Sequence, residues 1–167
     1  RVNSSTYNMY TLTTGSPTAV PVNHGTIPGN GPNPGIVITS PIAYNGKAYI
    51  STIFDLFELD ATGITTLSTD IFPRSFVVAN NELYFLASSP GNTSLNYLHR
   101  LDSGGVMTTF TSIPLVRSNS SNSLFIFNNL MYGWIADGAS NGIYKFHFST
   151  PTPTFSANLP SKPSNFD

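Results

Sequence analysis

Few side chains in this chain can do chemistry, and their spacing limits which chemistry is open to them. His24 lies in a loop-like stretch, while His99 and His147 lie in strand-like runs. No His-x-His or Glu-x-x-His spacing joins them, so they are read as surface or hydrogen-bonded histidines and no metal centre is expected. Asp137 and Asn141 share a Gly-rich loop whose oxygens suit Ca²⁺. Too few carboxylates converge there, and the loop is read as a turn. No two acidic residues are placed for paired acid and base work, and no Gly-x-Ser-x-Gly elbow presents a nucleophile. The expectation is a non-enzymatic protein with no cofactor and no metal. A hydrolase or lyase on the same scaffold ranks behind that reading, because fold alone does not decide function.

Binding chemistry has more candidates. Arg74-Ser75 and Arg117-Ser118 stand at corresponding entries to two strand-like runs, where guanidinium groups suit an anion or an acidic sugar. Trp134, Tyr49, Tyr84 and Tyr132 supply rings for sugar stacking, but the tyrosines recur at one position of a repeat, which favours packing. Asn3, Asn92 and Asn119 each open an Asn-x-Ser/Thr sequon. In a chain this rich in Asn, Ser and Thr, chance produces such triplets, so they are read either as that or as true glycan acceptors.

The elements that must position these groups form a repeat whose clearest copy is Val77 to Ser112. It reads as a strand Val77–Ala79, an Asn80-Asn81 turn, a strand Glu82–Ala87 and a polar loop Ser88–Asn96. A strand Tyr97–Asp102, a Gly104-Gly105 turn and a strand Val106–Ser112 complete it. The apolar residue before the third turn recurs at Leu12, Leu59, Leu101 and Phe146, a period of 42 to 47 residues. An Asn-x-x-x-Tyr pair recurs at Asn45/Tyr49, Asn80/Tyr84 and Asn128/Tyr132. Four strand-like runs in such a period match one propeller blade. Asn45-Gly46, Asn80-Asn81 and Asn128-Asn129 suit type I′ hairpin turns, whose two central residues need positive φ. Asp60 and Asp102, each followed by a Gly, predict turns in which the carboxylate accepts from backbone amides.

The pattern Asn81-Glu82-Leu83-Tyr84-Phe85 with Tyr97-Leu98-His99-Arg100-Leu101-Asp102 resembles the blades of kelch-like and other secreted bacterial β-propeller repeat proteins, over roughly Met9 to Ser156. The kelch double glycine and the Trp-Asp dipeptide of WD40 blades are absent. The resemblance therefore implies a fold and a binding or scaffolding role, and no particular ligand. The expected architecture is all-β, a propeller-like array of four-stranded antiparallel blades with about three and a half repeats. The repeat domain covers 1–156, as a partial blade 1–22 and blades 36–69, 76–112 and 123–156, followed by an extended Pro-containing tail 157–167.

On that scheme the first-second and third-fourth hairpins are short. The longer loops, Asn23–Gly35, Ser88–Asn96, Ser112–Asn122 and Asp137–Gly142, gather on the opposite face, where repeat proteins usually bind. Asn92 and Asn119 fall among those loops.

Composition bounds the partners. Charged residues are 9% of the 167 residues, with Lys+Arg 7 against Asp+Glu 8 and net charge -1. No basic field exists to hold a phosphate backbone, so nucleic acid is not expected. No apolar run is long enough to span a membrane, and the absence of cysteine excludes disulfides and thiolate metal sites. The chain opens on Arg1, which suggests processing or a fragment. Closed propellers need four or more blades, so an array of this length is completed by further chain or by a neighbour supplying strands. The expected role is an extracellular or cell-surface structural or adhesive subunit that self-associates into a fibre or ring through strand edges or loops. The second reading is a glycan- or protein-binding module acting through the long-loop face.

Overall fold

The computed structural model describes residues 8–11, 22–27, 40–52, 54–69, 71, 73–89, 92–116, 123–135, 142–146 and 154–158. Among these every regular element is a β-strand. The fourteen strands are β1 (Asn8–Thr11), β2 (Val22–Thr26), β3 (Ile42–Tyr44), β4 (Lys47–Ser51), β5 (Leu56–Asp60), β6 (Gly63–Ser68) and β7 (Ser75–Ala79). They continue as β8 (Glu82–Ser89), β9 (Asn92–Leu101), β10 (Met107–Val116), β11 (Ser123–Phe127), β12 (Leu130–Ile135), β13 (Gly142–Phe146) and β14 (Thr154–Asn158). They form a two-stranded sheet, β1-β2, and three four-stranded antiparallel meanders, β3-β4-β5-β6, β7-β8-β9-β10 and β11-β12-β13-β14. The all-β, repeat-like expectation holds at this level. The chain parts into two compact units between Pro73 and Arg74.

Local chemistry explains the hairpins. Each four-stranded sheet opens with a two-residue turn in which both central residues have positive φ: Asn45 (50°) and Gly46 (74°), Asn80 (49°) and Asn81 (56°), Asn128 (50°) and Asn129 (57°). This left-handed geometry matches the twist of the flanking strands, and Asn and Gly tolerate it best. The third turns are Asp-capped as expected. Asp60 Oδ1 accepts from Thr62 N at 2.7 Å and from Thr62 Oγ1 at 2.6 Å. Asp102 Oδ1 accepts from Gly104 N and from Val106 N, both at 2.9 Å. The Thr62 hydroxyl, then its amide, holds the Asp60 carboxyl below its ordinary range.

In the first unit, Ile50 and Phe57 stand opposite one another on β4 and β5 and pack with Ile27 and Ile64. The β4–β5 connection is pinned by Thr52, whose N–H donates to the Asp55 carbonyl at 3.0 Å while its hydroxyl accepts from Asp55 N at 3.2 Å. Ser51 Oγ donates to the Pro73 carbonyl at 3.2 Å.

In the second unit, one face of the β7–β10 sheet packs on one face of the β11–β14 sheet. Tyr84, Leu86 and Leu98 come from the first, and Leu124, Met131 and Phe146 from the second. The Leu124 amide donates to Ser75 Oγ at 2.8 Å and joins β11 to β7. Cross-strand partners share a face, so the opposite face of β7–β10 carries the row Phe76, Phe85, His99 and Thr109. Phe85 and His99 stack at 5.0 Å, and Thr109 Oγ1 lies 3.0 Å from His99 Nδ1.

Several strand limits differ from the sequence reading. Ser88–Asn96 is not a loop, since β8 runs to Ser89 and β9 begins at Asn92, with Ser88 opposite Asn96. Likewise β10 continues through Ser112 to Val116, where Leu115 and Val116 pair with Asn96 and Leu95 after a register shift. Backbone ladders need no apolar side chains, so a polar run such as Asn92-Thr93-Ser94 is extended as readily once a neighbour pairs with it. The Asn23–Gly35 stretch gives up its first residues to β2, which pairs with β1. The tail's first two residues, Ala157 and Asn158, belong to β14. Pairing thus takes residues from all four expected long loops, since β13 begins at Gly142, and it weakens the expected contrast between a short-loop and a long-loop face.

Candidate functional site

The register of the three four-stranded sheets puts the recurring tyrosine in the same place each time. The rows run Ile42-Tyr49-Glu58-Thr65, Val77-Tyr84-Arg100-Thr108 and Phe125-Tyr132-Lys145-Thr154 across successive strands. Each row places tyrosine beside a charged residue of the third strand. A further position, the first residue of the second strand, lies two residues before the tyrosine on the same face and holds Lys47, Glu82 and Leu130 in turn.

The first two sheets use these positions to satisfy a buried hydroxyl. Tyr49 OH donates to Glu58 Oε2 at 2.9 Å, and Lys47 Nζ reaches Glu58 Oε1 at 2.6 Å. In the next sheet Tyr84 OH donates to Glu82 Oε2 at 2.5 Å, and Arg100 Nη1 stands 3.4 Å from Glu82 Oε1. Both sheets thus hold a tyrosine, a carboxylate and a cation, with the charged positions exchanged. Burial first, and the carboxylate second, raise both phenols above their ordinary range. The bond to Glu58 raises the Lys47 ammonium against a smaller opposing effect of burial. Arg100 also lies over the Phe110 ring at 5.7 Å.

The third sheet has the tyrosine and the cation but no carboxylate. Leu130 stands where Glu82 stands in the preceding sheet, and Lys145 where Arg100 stands. Among the described residues Lys145 has no acidic partner and the Tyr132 hydroxyl no hydrogen-bond partner. From Ser103 to Phe166 the sequence holds a single acid, Asp137, which lies outside the described residues. On this face Phe125 stacks on Tyr132 at 5.6 Å with a 17° interplanar angle. Phe127 is 60% exposed and Trp134 43% exposed. Tyr49 and Tyr84 are buried, as packing residues should be. Tyr132 is half-buried against Phe125, whereas Trp134 on the same face is exposed, which departs from the packing expectation.

The residues singled out from sequence are not brought together. Arg74 precedes β7, donates its N–H to the Leu86 carbonyl at 2.8 Å and is half-buried. Its enclosed Nε has no partner among the described residues, and burial lowers its pKa. Arg117, Asn3, Asn119, Asp137, Asn141 and His147 lie outside the described residues, so no juxtaposition of Arg74 with Arg117 is described. Asn92 opens β9 opposite Ser89, in a strand rather than the expected loop. His24 lies in β2. His99 is fully buried, and burial pushes its pKa down to about 4, opposed weakly by the Ala87 carbonyl. No group of three or more His, Asp and Glu side chains able to hold a metal occurs among the described residues, nor any helix long and apolar enough to cross a membrane.

The site that sequence reasoning missed is the aromatic face of β11 to β13. Its signal is present in Leu124-Phe125-Ile126-Phe127, a strand that is apolar at consecutive positions and therefore presents rings or aliphatics on both faces. No protein-family model matches the chain, and no curated protein matches it.

Proposed function

We propose that this protein is a non-enzymatic structural or adhesive subunit of an extracellular or cell-surface assembly, built from propeller-type blades and joined to its neighbours through exposed sheet surfaces. The observation that carries this reading is the uncovered aromatic face of the β11–β14 sheet. Exposed apolar patches of this kind on a soluble domain mark interaction sites. The low charge of the chain supports it, since 9% charged residues leave little repulsion to keep copies apart. In this reading Asn3, Asn92 and Asn119 are glycan acceptors that keep other surfaces from associating. Sedimentation velocity and electron microscopy of the purified chain across a hundredfold concentration range test it. Oligomers or filaments are expected, and compact monomers at every concentration would sink it.

A second reading rests on Arg74, whose half-buried guanidinium has an enclosed Nε with no partner among the described residues. A carboxylate or acidic sugar is the ligand such a group takes. Glycan-array binding lost in Arg74→Ala and in Arg117→Ala would favour it.

A further inference from the structure

The second unit contains one complete example of how sheets of this repeat stack. The tyrosine-bearing face of β7–β10 is covered by the opposite face of the next sheet, with Tyr84 and Leu98 against Met131 and Phe146. The tyrosine-bearing face of β11–β14 has the same register and ends in exposed Phe127 and Trp134. By the rule of the first interface, what fits it is the opposite face of another sheet of this repeat.

The first unit carries such a face. Ala43, Ala48 and Leu59 occupy the register positions held by Ile126, Met131 and Phe146 in the third sheet. Ile27 packs on the part of that face formed by Ile50, Phe57 and Ile64. The part nearest Gly46 forms a hollow of about 420 Å³ in which Ala43 is exposed, Ala48 is half-buried, Leu59 is the buried floor and Asp60 stands at the rim. Alanines stand in it at the register positions where the later sheet has isoleucine and methionine. Bulk is reversed on the other side, where Phe125 and Phe127 replace the Val77 and Ala79 of the sheet before. Charge agrees with shape. Lys145 is the cation without a carboxylate among the described residues, and Asp60 stands at the rim of the hollow, while Lys47 there is already held by Glu58.

We infer that a second copy of this chain docks head to tail, the Phe125–Phe127–Tyr132 face of one molecule receiving the Ala43–Ala48–Leu59 face of the next, with Lys145 answered by Asp60. This rests on the assembly reading above and names its surfaces. The two surfaces differ, so the contact is heterologous and its repetition gives a ring if it closes and a filament if it does not.

The test uses the full chain and two variants at exposed positions, Phe127→Ser, which removes the knob, and Ala43→Trp, which fills the hollow. Circular dichroism and thermal unfolding check that each is folded. By sedimentation equilibrium each variant alone is expected to self-associate at least tenfold more weakly than wild type. An equimolar mixture should regain association but stop at dimers, since Phe127→Ser keeps its hollow and Ala43→Trp keeps its aromatic face. Lys145→Glu should weaken association and be partly restored by mixing with Asp60→Lys. Wild type that associates while both variants associate unchanged overturns these surfaces and leaves the assembly reading standing. Wild type that is monomeric throughout overturns both. A face that instead binds an acidic oligosaccharide, lost in Lys145→Glu with no change in association, also overturns the inference.

Discussion

The stacked, buried His99 predicts acid sensitivity of this fold in a defined window. Its ring lies flat on Phe85 with Nδ1 3.0 Å from Thr109 Oγ1, while the enclosed Nε2 has no close hydrogen-bond partner among the described residues. A second proton on that ring would place an unsolvated charge in the sheet, which is why its pKa falls to about 4. The unfolded ring ionises near 6.5. Above that value both states hold the neutral ring and nothing is lost. As pH falls from about 6.5 toward 4, the unfolded state takes up a proton the folded state resists, and stability falls with it. At about 1.4 kcal/mol per pH unit of difference, the loss approaches roughly 3 kcal/mol by pH 4. Urea unfolding midpoints at half-unit steps from pH 7.5 to 4 measure it, in wild type and in His99→Phe, which keeps the stack on Phe85. Wild type should lose stability through the window, and the variant should stay flatter by about that amount. Asp60, held below its usual range, adds its own acid loss only at lower pH. Equal slopes for the two proteins, or an NMR titration placing His99 near 6.5, would refute the reasoning.

Other substitutions probe the packing and the turns. A Cβ on Gly133 would sit 2.6 Å from Phe146 Cε2 and 3.2 Å from its Cζ in the core of the second unit, so Gly133→Ala should destabilise by about 1–3 kcal/mol by overpacking, read from chemical denaturation. Tyr49→Phe removes the buried hydroxyl from Glu58 and should cost about 1 kcal/mol with little change in the circular dichroism spectrum. Met131→Ala, at a fully buried site, should cost about 2–5 kcal/mol, seen as a lower denaturant midpoint at unchanged slope. Asn128→Ala forces an alanine to a φ of 50° and should cost about 1–2 kcal/mol, whereas Asn129→Gly should be neutral or mildly stabilising in the same assay.

The sequence declared the repeat because its punctuation is local. Asn45-Gly46, Asn80-Asn81 and Asn128-Asn129 encode their turns within two residues, and Asp60 and Asp102 cap theirs within four. The ends of β8, β9 and β10 were hidden because Asn92 and Ser94 look like loop residues until a neighbouring strand pairs with their backbone. Burial of the tyrosines was legible only in part. Tyr49, Tyr84 and Tyr132 have the same spacing, yet whether each is covered depends on what stacks above it, a property of the neighbouring sheet. The charged rows were invisible for a related reason. Glu58 and Tyr49 share a row only after β4 and β5 are in register, and Lys145 stands out as lacking a carboxylate among the described residues only beside its two predecessors.

The exchange of charge between the first two sheets has a consequence for folding. Neighbouring hairpins with the same turns and register invite the wrong partner strand, and mispairing is a recurrent failure of repeat proteins. If β4 paired with β9 in place of β5, Lys47 would lie diagonally beside Arg100; if β8 paired with β5, Glu82 would lie diagonally beside Glu58. Either error sets like charges beside each other on one sheet face and strips a buried tyrosine hydroxyl of its acceptor or crowds it with two. The Lys47–Glu58 and Glu82–Arg100 pairs therefore disfavour strand exchange between these two sheets, a selection that the similar turns alone do not supply.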